Sequence, residues 1–142
     1  FFIIFVQIII GAFVSGMDAG QIYNTWPYMN GNYFPNDSSI KDLFKLSVFN
    51  EPSLVQFIHR NIAYLTIFIF FSIFYFVLKN KNLHYLKKTV VLIFFLLLFQ
   101  VFLGVLTILS GAQMFVASFH QIGSIFLISS SLYLLYKNTN FS

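Results

Sequence analysis

The chain has 142 residues, of which 58% are hydrophobic and only 8% are charged, and its net charge is +4. About a quarter of the residues in a soluble domain are charged, so this composition excludes a soluble globular domain and a disordered chain. The absence of cysteine excludes a disulfide-stapled secreted domain and a thiolate metal site. These exclusions leave an integral membrane protein, without the large basic surface that nucleic-acid binding needs.

Four apolar segments occupy residues 1–16, 54–78, 89–109 and 113–136. A membrane-spanning helix needs about 20 residues, and helix is the default because lipid offers no partner for backbone polar groups. The sequence therefore predicts an all-α fold, an integral membrane four-helix bundle in a single domain. Because the chain starts without Met inside an apolar run, we expect a fragment whose first helix is cut short.

The connecting segments predict the orientation of this bundle. Residues 79–88 carry four lysines and Lys137 follows the last apolar segment, whereas all four acidic residues lie in the long segment 17–53. The positive-inside rule places the lysines on the cytoplasmic or matrix side. We therefore expect a multi-pass protein of a bacterial plasma membrane or mitochondrial inner membrane, surrounded by membrane lipid, with 17–53 outside. Within that outer loop, Ser39 and Asp42 resemble a helix start, and a short amphipathic surface helix is expected to follow.

Each apolar segment carries one narrow stripe of polar or small residues. Steps of three, four and seven residues place the members of each stripe on a single helix face. The remaining faces are rich in Phe, Ile and Leu, which suit lipid, so we expect the four stripes to face one another inside the bundle. The stripes are Gln7, Gly11, Ser15 and Asp18; Gln56, His59, Ala63 and Thr66; Gln100, Gly104, Thr107 and Gly111; and Gln113, Ala117, His120, Ser124 and Ser131.

The stripes also indicate an internal repeat. The first and third helices share a Gln-x-x-x-Gly pattern, and the second and fourth each carry one histidine followed four residues later by a small residue. His59 and His120 lie about 8 and 10 Å below the outer helix ends. Ionisable residues inside a membrane span are functional candidates, and these two occupy equivalent positions at a similar depth.

Two facing neutral imidazoles are suited to axial ligation of a haem iron. A flat macrocycle needs small neighbours, and anionic propionates prefer the water interface, where Arg60 is expected. Zinc would need further His, Cys or carboxylate ligands, which these spans lack. His84, in the lysine-rich connection, is expected to be solvated. The small neighbours of the two histidines are Ala63, Ala117, Gly123 and Ser124.

Three segments resemble a known family. Residues 16–29, GMDAGQIYNTWPYM, resemble the outer-loop signature of the haem A synthases, and residues 54–60 and 119–123 resemble the two histidine helices of that family. The resemblance implies the C-terminal half of an eight-helix protein, built from two similar four-helix halves. It also implies an oxidoreductase of haem A biosynthesis and cytochrome oxidase assembly, which oxidises a methyl group of the substrate haem O to the formyl group of haem A.

The resemblance further implies that the present half binds a resident haem b cofactor, whose iron is held by His59 and His120. This haem would serve electron transfer with an unidentified partner. Gln56 stands where the family's other half carries a glutamate. No catalytic residue is therefore expected in this half, and without the missing N-terminal half the fragment is expected to be inactive. The outer-loop cysteine pairs of some members are absent here.

Two other readings stay open at the level of the sequence. A b-type cytochrome membrane anchor of a respiratory complex would share the histidine pair, but would not be expected to carry the outer-loop signature. A small transporter would line a substrate path with the polar stripes, but would usually need a broken helix or more buried charge.

Overall fold

The computed structural model describes residues 1–140. In that part of the chain there are four α-helices and no strands, which confirms the predicted all-α fold. The helices are α1 (Phe2–Gly16), α2 (Pro52–Lys79), α3 (Lys87–Leu109) and α4 (Met114–Asn140). Helix α1 packs against α2, α2 against α3, and α3 against α4, which is the most extensive pairing.

Three of these helices, α2, α3 and α4, are long and apolar enough to cross a membrane. Helix α1 is also apolar but has only 15 residues. Large aromatic side chains point outward from the bundle, including Phe68, Phe95 and Phe126, each of them more than 60% exposed. Such a surface suits lipid rather than water, so the prediction of a membrane protein is confirmed.

The helix ends differ from the apolar segments by a few residues. Helix α2 begins at Pro52 rather than at residue 54, because proline has a fixed φ and lacks an N–H, which suits the first position of a helix. Helix α4 continues past residue 136 to Asn140, where the side chains of Thr139 and Asn140 donate hydrogen bonds to the carbonyl of Tyr136. Hydropathy locates only the apolar part of a helix, so it did not reveal that polar residues continue α4 beyond residue 136.

The outer segment, residues 17–51, contains short 3₁₀ helices where a single amphipathic helix was predicted. Ile40–Phe44 and Leu46–Asn50 are separated by Lys45, whose backbone is extended. The predicted start is present, since the Asp42 carboxylate accepts hydrogen bonds from the Ser39 N–H at 2.9 Å and from the Lys45 ammonium at 2.7 Å. These bonds, that from Lys45 first, hold the pKa of Asp42 well below its usual range.

All the lysines of residues 79–88 lie at the same end of the bundle as Lys137. A buried cluster of Val77, Leu86 and Val90 joins the end of α2, the connection and the start of α3, and Leu134 of α4 packs against it. The outer segment lies at the opposite end, against the C-terminal end of α1 and the start of α2.

This separation makes the predicted orientation directly testable. Residues 1–142 contain no cysteine, so Asn36→Cys and Asn82→Cys would each give this part of the protein a single thiol at an exposed site, one at each end of the bundle. In intact cells, we expect an impermeant maleimide to label Asn36→Cys at least about ten times faster than Asn82→Cys. Faster labelling of Asn82→Cys would invert the orientation, and both should react equally once the membrane is opened by detergent.

Candidate functional site

A cavity of about 280 Å³ lies between the four helices at the end nearer the outer segment, and both histidines line it. Its size is near the lower limit of small-molecule sites, and its wall is mostly apolar. All of the predicted stripe residues line the cavity except Gly111, Gln113 and Ser131. The helix periodicity therefore identified about half of the residues in the cavity wall.

The two histidines are held in the same way by the neighbouring helix. The side-chain amide of Gln7 donates a hydrogen bond to the backbone carbonyl of His59 at 3.0 Å. The side-chain amide of Gln100 likewise donates to the backbone carbonyl of His120. The internal repeat seen in the sequence thus corresponds to a repeated contact between a glutamine helix and a histidine helix.

A glycine one turn after each glutamine completes this contact. A Cβ built on Gly11 would lie 3.0 Å from Cε1 of His59, and a Cβ built on Gly104 would lie 3.0 Å from Cε1 of His120. Real Cβ atoms are rarely this close to a neighbouring atom, so each imidazole packs directly against the backbone of the adjacent helix. Glycine is the residue that leaves room for the ring at both positions.

The ring nitrogens distinguish the two histidines. Nδ1 of His120 lies 3.1 Å from the backbone carbonyl of Gln100, so Nδ1–H donates to it and Nε2 retains its lone pair. Nδ1 of His59 is buried without a hydrogen-bond partner among residues 1–140, and its Nε2 lies 3.3 Å from the side-chain nitrogen of Gln7. A carbonyl on the second ring nitrogen is the usual support of a metal-binding histidine, and only His120 has it.

Arg60 is buried beneath the outer segment, although the sequence placed it at the membrane–water interface. It is 9% exposed, and its guanidinium donates to the backbone carbonyls of Tyr23 and Thr25, both at 2.9 Å. Gln56, which is 1% exposed, donates from its amide to the same Tyr23 carbonyl at 3.1 Å. Two polar side chains of α2 therefore hold the outer segment against the mouth of the cavity.

Arg60 and Gln56 each have one buried polar atom that makes no hydrogen bond within the described part of the chain. Nε of Arg60 and Oε1 of Gln56 are buried without a hydrogen-bond partner in the described part of the chain, and both residues line the cavity. A buried donor without a partner carries a desolvation penalty, and a ligand with an anionic edge would remove that penalty at Arg60.

The outer-loop signature has a structural role that the sequence did not reveal. Asn24 donates to the carbonyls of Gly20 and of Ile108 in α3, at 2.7 and 3.1 Å. The Tyr23 hydroxyl accepts from the N–H of Asn36 at 3.1 Å, and burial raises the pKa of this phenol. These contacts fold the loop over the helix ends and place Trp26 in the cavity wall.

Trp26, Tyr64 and Gln121 line the cavity but were not among the predicted site residues. Trp26 lies in a loop, where no periodicity reveals a direction. Tyr64 and Gln121 each follow a predicted stripe residue directly, so a wider stripe would have included them. His84 lies exposed in the lysine-rich connection, at the other end of the bundle from the cavity.

The two histidines are the only imidazoles in the cavity wall, and residues 1–140 contain no cluster of three or more His, Cys, Asp or Glu side chains that could hold a metal ion. A haem iron takes four ligands from its macrocycle and needs only axial groups from the protein. Two imidazoles and a buried cation with a free N–H, in a cavity whose wall includes Gly11 and Gly104, fit such a group. A bare metal ion would lack ligands here.

Comparison with known proteins gives a consistent match. The family model described as cytochrome oxidase assembly protein, COX15-CtaA, matches residues 1–132. The chain is 48% identical over 138 residues to the heme A synthase of Pelagibacter ubique, covering 97% of the chain and 40% of that relative. It is 41% identical over 139 residues to the heme A synthase of Rickettsia bellii, covering 96% of the chain and 40% of that relative.

A third relative, the heme A synthase of Wolbachia pipientis, is 38% identical over 135 residues, which cover 94% of the chain and 36% of that protein. The chain therefore spans about 40% of the length of the curated relatives that it matches. No solved structure matches the chain.

Proposed function

Because the chain belongs to the COX15-CtaA family of cytochrome oxidase assembly proteins, we propose that it is the haem b-binding portion of a haem A synthase. The whole protein would be an oxidoreductase that converts a methyl group of haem O to the formyl group of haem A. Relatives named heme A synthase support this proposal. Neither the membrane-anchor nor the transporter reading is favoured by a feature of the structure.

One observation carries the haem b assignment: His59 and His120 line the same cavity and are packed in the same way against Gly11 and Gly104. The two imidazoles would hold the haem iron. A haem held by two histidines has no open iron position, so it would supply electron transfer rather than oxygen activation. The bond from Nδ1–H of His120 to the Gln100 carbonyl fixes the ring so that Nε2 keeps a lone pair for a ligand.

Arg60 would bind the propionates of the same haem. Its guanidinium is buried with only backbone carbonyls as partners, so its positive charge is not neutralised by any carboxylate among the described residues. Its Nε has a free N–H. A propionate would supply both the missing acceptor and the missing negative charge.

The remaining parts of the reaction would lie outside this portion. An N-terminal half would hold the haem O substrate, and an electron-transfer partner would exchange electrons with the haem b. Gln56 stands at the position of the family's glutamate and donates its hydrogen bond to the outer segment. The side chain of Gln56 cannot act as an acid or base, so we place no catalytic residue here.

The proposal is tested on the full-length protein, purified from membranes in detergent. We expect an absorption spectrum of low-spin haem b, and conversion of supplied haem O to haem A as measured by chromatography of the extracted haems. Absence of haem b would refute the cofactor assignment. Low-spin haem b without any conversion of haem O would instead support the membrane-anchor alternative.

Gln56→Ala is expected to leave the haem site nearly intact. The Gln56 amide bonds to the Tyr23 carbonyl and touches neither imidazole ring by a hydrogen bond. A hydrogen bond in a membrane bundle contributes about 0.6 kcal/mol on average, so haem b content and haem A formation should each fall less than about threefold. Loss of haem A formation with haem b retained would show that this half contributes a catalytic group.

A further inference from the structure

A second depression, the α3–α4 groove, lies between the start of α3 and the end of α4. It measures about 460 Å³ and lies at the lysine-bearing end, away from the histidine cavity. It is an open depression whose surface is mainly apolar, and its lining residues are Lys88, Thr89, Leu92, Ser129, Ser130, Tyr133 and Lys137. Two lysines and four residues with hydroxyl groups therefore border one depression.

The positive charge of this groove has no counterpart in the chain. All four acidic residues lie between Asp18 and Glu51, in the segment at the opposite end of the bundle, and the only ion pair within residues 1–140 joins Asp42 to Lys45. Lys88 also lies in the first turn of α3, where the helix dipole already disfavours a cation. An anion in the groove would relieve both effects.

The hydroxyl groups indicate the kind of anion. Ser118, Ser124 and Ser131 of α4 each donate to a carbonyl of their own helix. The hydroxyls of Ser129 and Ser130 make no such bond within the described residues. Both residues line the groove, so their hydroxyls are available to a ligand there.

The polar residues of the groove are spread over a greater length of α4 than one small anion can contact. Ser130 lies seven residues before Lys137, about 10 Å deeper along α4. The Lys137 ammonium folds back over the ring of Tyr133, 5.9 Å from its centre, which brings the charge closer to the serines. A phosphate at the lysines, with ester carbonyls below it and acyl chains along Leu92, matches this order of groups.

We propose that the α3–α4 groove binds an anionic phospholipid, with its phosphate on Lys88 and Lys137 and its ester carbonyls accepting hydrogen bonds from Ser129 and Ser130. Basic pockets between membrane helices are a known form of lipid recognition. This site is separate from the histidine cavity, so the proposal does not depend on haem binding. A free phosphate would satisfy the lysines but not the serines.

The test is native mass spectrometry of the full-length protein in detergent, titrated with phosphatidylglycerol and, separately, with phosphatidylcholine. Each lysine near an anionic lipid contributes about fivefold in affinity, so Lys88→Gln combined with Lys137→Gln should weaken phosphatidylglycerol binding about 25-fold. Ser129→Ala combined with Ser130→Ala should weaken the binding of both lipids by a few fold. Wild-type protein should bind phosphatidylglycerol at least about tenfold more tightly than phosphatidylcholine.

Lys79→Gln combined with Lys81→Gln is the matched control. Lys79 lies over Tyr75 at 5.5 Å, as Lys137 lies over Tyr133, and it ends α2 at the same side of the bundle, but it does not line the groove. This control should change phosphatidylglycerol binding less than about twofold. The proposal would be overturned if the two lysine pairs lost phosphatidylglycerol affinity equally, or if the wild-type protein bound the two lipids with equal affinity. Displacement of the lipid by millimolar inorganic phosphate would also overturn it, in favour of a free-anion site.

Discussion

Replacement of either cavity histidine, in His59→Ala or His120→Ala, is expected to remove the low-spin haem b spectrum of the purified protein. Loss of a hydrogen-bond partner behind a ligand typically costs 10- to 100-fold in metal affinity, so loss of the ligand itself should cost at least about 100-fold. The measurement is the haem b content per protein by absorption spectroscopy, with electron paramagnetic resonance to distinguish low-spin from high-spin iron.

Two further measurements separate ligation from folding. Added imidazole should restore part of the low-spin signal in His59→Gly and His120→Gly, because it can occupy the vacated position. His84→Ala should keep the full spectrum, since this residue is exposed at the other end of the bundle. If His59→Ala and His120→Ala both retain a full complement of low-spin haem b, the assignment of these histidines as the iron ligands is wrong.

The second large effect is expected at the glycines that face the imidazoles. Overpacking a well-packed interior costs about 1–3 kcal/mol, and a Cβ on Gly104 would already lie 3.0 Å from Cε1 of His120. Gly104→Ala should therefore weaken haem b binding by up to about 5- to 150-fold, and Gly104→Val should remove the low-spin form.

The same change on the other helix should be milder. The His59 ring is held only by the 3.3 Å contact of its Nε2 with the mobile side-chain amide of Gln7, so it can shift from a new methyl group more easily. The His120 ring is held by a 3.1 Å bond to the backbone carbonyl of Gln100. Gly11→Ala should therefore retain more haem b than Gly104→Ala. Gly16→Ala is the control, because no atom lies within 4 Å of its Cβ position. Equal haem content in all three alanine variants would contradict the glycine contacts.

Helix periodicity explains why so much of the cavity could be predicted. A residue's face on a helix follows from its number, so the spacing of Gln7 and Gly11 already placed them on one side, and the same holds for Gln100 and Gly104. Apolar composition likewise identified the spans, since lipid selects for it directly.

Features that depend on a turn or a single hydrogen bond could not be predicted in this way. The sequence placed Arg60 at the interface because it lies near the outer end of α2, and nothing local revealed that carbonyls of the outer segment would cover it. The predicted surface helix became two 3₁₀ helices because Lys45 adopts an extended backbone. The equivalence of His59 and His120 was an inference from spacing, and spacing carries no information about which ring nitrogen finds a carbonyl.

The unequal connections of the two helix pairs have a consequence for assembly in the membrane. Helices α3 and α4 are joined by residues 110–113, with Gly111 and Ala112 in the left-handed region, whereas residues 17–51 separate α1 from α2. Closing the longer connection costs roughly 2 kcal/mol more in chain entropy, and pairing of segments close in the chain is faster. Once all four segments are in the membrane, we therefore expect α3 and α4 to pair faster than α1 and α2, so that the contact of Gln100 with His120 forms before the contact of Gln7 with His59.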